Sequence, residues 1–139
     1  MDEIHAAILN FKLSNLDKNI KHRREISEIY YKNIKNDLFY KIPIPIKSKS
    51  SFYLIPFYFS GDRNYFQDLL RDSGVLTNVS YKKPIHLMKA YEDLGYKKGY
   101  LPKTESFCDH NISLPICDLM PIELAYEVVE KVNKVLKNF

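Results

Sequence analysis

The chain has 139 residues, 45% of them hydrophobic and 27% charged, with 21 basic residues against 17 acidic ones for a formal net charge of +4. That length suits one domain, the composition excludes disorder as the default, and the dispersed basic excess is too mild to imply nucleic acid or an anionic membrane. No apolar run approaches the ~18–20 residues of a bilayer span, and the opening MDEIHAAILN has acidic residues where a signal peptide needs basic ones, so the expected setting is the cytoplasm.

From Asp2 to Ile34 nothing breaks a helix, and Ile4, Ala7, Ile8, Phe11, Leu16, Ile20, Ile26, Ile29, Tyr30 and Ile34 approximate a helical stripe. Asp2 is the expected N-cap. Such a helix is roughly 50 Å long, whereas a domain of this size is about 37 Å across. Either it kinks in the polar stretch Asp17 to Arg24, or one end carries its apolar face onto something outside this chain.

Phe39 to Ile42 leads to Pro43, Pro45 and a surface loop, Lys47 to Ser51. Phe52 to Phe59 reads as a strand buried on both faces, with Pro56 favouring an edge or a bulge. Asp62 caps a short helix from Arg63 to Ser73 that ends at Gly74, and Val75 to Val79 reads as a second strand. Ser80 to Pro115 is irregular, with short helical stretches at Leu87 to Asp93 and Lys103 to Asp109, and is the expected seat of binding residues. Pro121 opens a last helix whose buried face comprises Ile122, Ala125, Val128, Val129, Val132, Val135 and Leu136. The order implies an α+β fold, a small sheet covered by helices.

The 4 glycines form neither G-x-G-x-x-G nor G-x-x-x-x-G-K, which excludes a P-loop or Rossmann nucleotide site. Cys108, His110, Cys117 and His86 lack zinc-ligand spacing, so no metal is expected, and the two cysteines read as buried thiols rather than a disulfide. Cys108 and His110, two apart, face different directions on a helix and do not make a nucleophile and its base. Lys21-His22-Arg23-Arg24 has Asp17, Glu25 and Glu28 within helical reach and reads as a solvated, salt-bridged face. Tyr81-Lys82-Lys83-Pro84-Ile85-His86 sets a phenol, two amines and an imidazole beside a rigid turn after a strand, which makes it the candidate binding turn.

The order of motifs carries a resemblance. Met1 to Leu9 is similar to the M-D-E-I-Q-A-A-I-L start of the long helix in the pyridoxal-phosphate sugar aminotransferases of the DegT/DnrJ/EryC1/StrS family. His22 to Ile26 resembles the family's R-R-x-I, and Leu69 to Thr77 its L-x-x-x-G-I-x-T. Pro84 to Leu87, Ala90-Tyr91 and Leu94-Gly95-Tyr96 resemble P-x-H-x-x-x-A-Y-x-x-L-G-Y; Pro102 to Glu105 resembles P-x-x-E, and Ile112 to Pro115 resembles L-S-L-P.

The resemblance implies the carboxyl-terminal small domain of a fold-type I aminotransferase, 1–139, with a mostly antiparallel sheet and a long first helix. The intact family moves an amino group from glutamate to a nucleotide-linked keto sugar, usually as a homodimer, and its larger domain holds the Schiff-base lysine and most of the cofactor site. No catalytic, cofactor-binding or metal residue is therefore assigned to this chain, and no pyridoxal phosphate is expected on it alone. Substrate-binding positions by resemblance are Ser80, Tyr81 and His86, with Ser80 and Lys82 standing where the family commonly has the first and last residues of H-Y-P. The long helix, which joins the two domains in the family, is expected to expose an apolar strip here and to mediate self-association. The alternative is a non-catalytic module that binds a sugar nucleotide or a partner aminotransferase.

Overall fold

A computed structural model describes residues 2–139; Met1, the first letter of the opening motif, lies outside the described residues. Asp2 caps α1 (Glu3–Ser14), its carboxylate accepting from the His5 amide at 3.0 Å. The apolar pattern continues into α2 (Leu16–Asn33), but the helix is interrupted at Asn15, whose N–H turns to the carbonyls of Lys12 and Leu13. The break thus falls two residues before the polar stretch in which it was expected. No residue of α1 is buried, and Ile4, Ile8, Phe11 and Leu13 are exposed along it, the apolar strip expected from the resemblance.

β1 (Phe39–Lys41), β2 (Ile55–Phe59) and β3 (Asn111–Leu114) form an antiparallel sheet with β2 in the centre. Register pairs Phe39 with Phe59 on one side and Tyr58 with Asn111 on the other. Pro56 is tolerated in a central strand because β1 ends at Lys41, opposite Phe57, so Pro56 lies beyond the last β1 pair. The expected strand at Val75 to Val79 is reduced to a single bridge, Asn78 to Ser113, and β3, four residues long, emerges from the stretch expected to be irregular.

Alternation along the strands turns Phe39, Ile55, Phe57, Phe59, Ile112 and Leu114 to one face. There they pack against Ile26 and Tyr30 of α2, Phe66 and Leu70 of α3 (Arg63–Asp72), and Val128 to Leu136 of α5 (Ile122–Leu136). Stacked pairs Phe39–Phe57 and Phe59–Phe66, with ring centres 4.5 and 4.3 Å apart, fill the centre. Each buried aromatic contributes about 1.5–3 kcal/mol through apolar area removed from water. Asp62 caps α3 by accepting from the Asn64 and Tyr65 amides, and Gly74, at φ +84°, takes the left-handed turn after it.

The opposite face of the sheet carries Tyr40 and Tyr58. Against it lies α4 (Pro102–His110), where Tyr58 Oη sits 2.7 Å from Ser106 Oγ and the rings of Tyr40, Tyr58 and His110 stack in sequence. Between α3 and α4 the chain makes an exposed excursion with two 3₁₀ segments, Ile85–Leu87 and Lys89–Leu94.

Candidate functional site

The excursion is shaped by a few fixed points. Pro84 is buried and restricts the residue before it, and the amides of Leu87 and Met88 fold back on the carbonyls of Pro84 and Ile85, both at 3.0 Å. Gly95 and Gly99, at φ +73° and +96°, take left-handed turns that bring the chain back to Pro102, the first residue of α4. From the first turn of α4, Glu105 reaches into the loop that precedes it.

Its carboxylate gathers four donor contacts. The Gly99 amide reaches both oxygens, at 2.9 and 2.8 Å, the Leu101 amide donates at 3.2 Å, and His86 Nε2 lies 3.0 Å from Oε1. Both His86 and Glu105 are buried. The Gly99 amide bonds hold the carboxyl below its ordinary value; burial opposes them, and the His86 and Leu101 bonds reinforce them. An ionised carboxylate only accepts, so His86 Nε2 carries the proton and Nδ1 is the nitrogen left for other work. Among the described residues Nδ1 makes no hydrogen bond. The imidazole borders a cleft of about 400 Å³ together with Lys83, Met88, Lys89, Glu92 and Lys97.

Of the other sequence-predicted residues, Tyr81 is 61% exposed; its carbonyl accepts from Asn111 Nδ2 at 2.8 Å and its ring tilts against Phe107. Ser80 is exposed and accepts from Asn78 Nδ2 at 3.4 Å. The structure therefore pairs His86 with Glu105, not with Tyr81, and leaves the Tyr81 phenol and Ser80 hydroxyl facing outward on the turn. In the sequence Glu105 is visible only as the end of the P-x-x-E spacing, because 19 residues separate it from His86.

Two other expectations are corrected. Arg23 and Arg24 do not belong to a solvated helix face: Arg23 pairs with Asp118 and donates to the Ser51 carbonyl, Arg24 Nε donates to the Ser50 carbonyl at 3.0 Å, and His22 Nε2 meets the Met120 carbonyl at 2.7 Å. The cluster clasps two loops to α2. Both cysteines are free, but only Cys108 is buried, its thiol pushed up by burial and by Asp109 against the pull of Arg63; Cys117 is exposed. Among the described residues no three His, Cys, Asp or Glu side chains converge on a metal position, and no helix is long and apolar enough to cross a membrane.

Residues 1–133 match the profile of the DegT/DnrJ/EryC1/StrS aminotransferase family. The chain belongs to that family. It is 34% identical over 134 residues to a dTDP-3-amino-3,6-dideoxy-alpha-D-galactopyranose transaminase of Aneurinibacillus thermoaerophilus, which covers 96% of this chain and 36% of that protein. It is 32% identical to the erythromycin biosynthesis sensory transduction protein EryC1 of Saccharopolyspora erythraea over 93% of this chain and 35% of the relative. Among solved structures, Streptomyces venezuelae DesV, in complex with a ketimine intermediate, superposes with a TM-score of 0.91 at 25% identity, covering 99% of this chain and 37% of DesV. The chain thus spans about a third of the length of the relatives it matches.

A pyridoxal phosphate site of the family's kind needs a sheltered lysine amine for the carbonyl and a free carboxylate for the pyridine nitrogen. Among the described residues no lysine is buried, and the one buried carboxylate, Glu105, is already committed to Gly99, Leu101 and His86. The residues present do not fit the cofactor.

Proposed function

We propose that this chain is the carboxyl-terminal, substrate-facing part of an aminotransferase that moves an amino group from glutamate to the keto group of a nucleotide-linked sugar, and that the chain is inactive alone. Family membership across residues 1–133, with sugar-nucleotide transaminases among the relatives, is the observation that carries this reading. In the assembled enzyme the Ser80 hydroxyl and the Tyr81 phenol hydrogen-bond the sugar nucleotide. His86, held through Nε2 by Glu105, fixes the turn that presents them and offers Nδ1 to the same pocket. The exposed strip of α1 packs against the remainder of the enzyme or a second copy, and the enzyme works in the cytoplasm.

Two measurements test the proposal. The purified chain, mixed with pyridoxal phosphate, glutamate and a keto-sugar nucleotide, is expected to give no turnover; turnover, or a borohydride-trapped covalent adduct, overturns the inactivity. A chimera in which this chain replaces the matching third of the Aneurinibacillus transaminase is expected to retain activity toward that enzyme's own sugar nucleotide. A folded but inactive chimera overturns the substrate-facing assignment.

A further inference from the structure

We infer that the cavity between α2, β1 and the Lys/Ser loop binds a small organic anion, a phosphate or carboxylate carried on an apolar ring-sized body. Nothing in the family reading assigns this cavity, and it shares no residue with the Tyr81 to Glu105 region. Its volume of about 630 Å³ falls within the range of small-molecule sites.

The floor is apolar and rigid. Tyr31 and Phe52 meet edge to face at 6.0 Å, Tyr31 is braced from below by Phe57 at 5.6 Å, and Ile42 and Pro43 complete the wall. Phe52 is buried with φ +49°, a left-handed conformation that side chains larger than glycine seldom adopt, and its amide is tied to Ser50 Oγ at 3.0 Å. The loop is thereby held with the ring at the cavity wall.

The rim is cationic and only partly neutralised. Arg24, Lys41 and Lys49 line it against a single carboxylate, Glu28, whose Oε2 already takes Lys32 Nζ at 3.3 Å. The bond from Arg24 Nε to the Ser50 carbonyl orients the planar guanidinium, and its two terminal nitrogens donate no hydrogen bond among the described residues. A fork positioned in this way suits the paired oxygens of a phosphate or carboxylate. Lys41 Nζ stands 5.2 Å from the centre of the Tyr31 ring, so the amine and the aromatic floor are adjacent. Ser50 Oγ, which accepts from Phe52, keeps its own proton to donate.

Titration of the 139-residue chain with phenyl phosphate, followed by amide NMR, tests the site. Saturable shifts are expected at residues 41–52 and on the Arg24 to Tyr31 turns of α2, with benzoate competing. Inorganic phosphate, lacking the ring, and benzyl alcohol, lacking the charge, are each expected to bind about tenfold more weakly, the factor that one charge-assisted hydrogen bond or one buried ring supplies. Lys41→Gln and Arg24→Lys are expected to weaken phenyl phosphate severalfold; Lys41 is exposed and outside the core, so its variant reads binding rather than folding. Absence of saturable shifts, equal binding of benzyl alcohol, or shifts confined to residues 81–105 overturns the inference.

Discussion

His86 Nε2 and Glu105 Oε1 stand 3.0 Å apart beneath a largely exposed excursion, and the same carboxylate holds the Gly99 and Leu101 amides. One side chain from α4 therefore ties the last residue of the candidate turn to the Gly99 and Leu101 backbone that leads into α4. Remove that carboxylate's charge, and an imidazole and two backbone donors lose their shared acceptor.

This arrangement gives an acid-sensitive local structure. The folded carboxyl titrates below its ordinary value, so its stabilising contribution is complete above the unfolded value of 4.5 and is lost as pH falls through the lowered folded value. Protection of the Gly99 and Leu101 amides, taken relative to the intrinsic exchange rate at each pH, is expected to be high at pH 7 and to fall on acidification below the usual carboxylate range. Glu105→Gln is expected to show the lower protection already at pH 7; unchanged protection in that variant contradicts the account.

Tyr30 supplies the opposite pH response. Its hydroxyl donates to the Pro115 carbonyl at 2.7 Å, and burial, followed by the charge of Cys117, pushes its phenol well above the ordinary value of 10.0. The folded chain keeps the proton that the unfolded chain releases, so stability falls as pH rises past about 10. Tyr30→Phe is expected to lose about 1 kcal/mol at neutral pH and to flatten this alkaline decline, as read from denaturant midpoints at pH 7 and pH 10.5.

The strip on α1 separates association from stability. Phe11 is 74% exposed, so Phe11→Glu is expected to change the stability of the isolated chain by less than about 0.5 kcal/mol. Sedimentation of the unmodified chain is expected to show concentration-dependent self-association that Phe11→Glu abolishes. A concentration-independent monomer for both counts against α1 as a contact face.

Helix α3 depends on its cap. Asp62→Ala removes the acceptor for the Asn64 and Tyr65 amides, with an expected loss of about 1 kcal/mol. Asp62→Asn, which keeps an oxygen in place, is expected to recover most of it in thermal melts.

The elements read correctly from sequence are those whose signals are local. Asp62 and Gly74 bracket α3, Pro121 precedes α5, and the buried side of α5 follows the helical period from Ala125 to Leu136. The strands were harder because their pairing is not local. Asn111 to Leu114 is four residues long and buried on both faces, so it has no alternation to betray it, and it follows α4 without an intervening turn. Val75 to Val79 has strand composition but only Asn78 finds a partner. At the candidate site, the Pro84 to His86 turn was legible from its own residues, whereas Glu105 acquires its role only once Gly95 and Gly99 have folded the chain back. The clasp made by Arg23 and Arg24 is illegible in the sequence for the same reason: Asp118 and Ser50 are distant along the chain, whereas Asp17, Glu25 and Glu28 lie within helical reach.

The register of the sheet bears on how such a surface changes over evolution. Pairing of Tyr58 with Asn111 and of Pro56 with Ser113 clamps the two ends of everything from Ser60 to His110. For a flexible loop inside that clamp, doubling its length costs only about 0.6 kcal/mol in chain entropy. Insertions and deletions around Lys82 to Lys98 can therefore reshape the exposed excursion while Phe57 and Ile112 keep their alignment in the core.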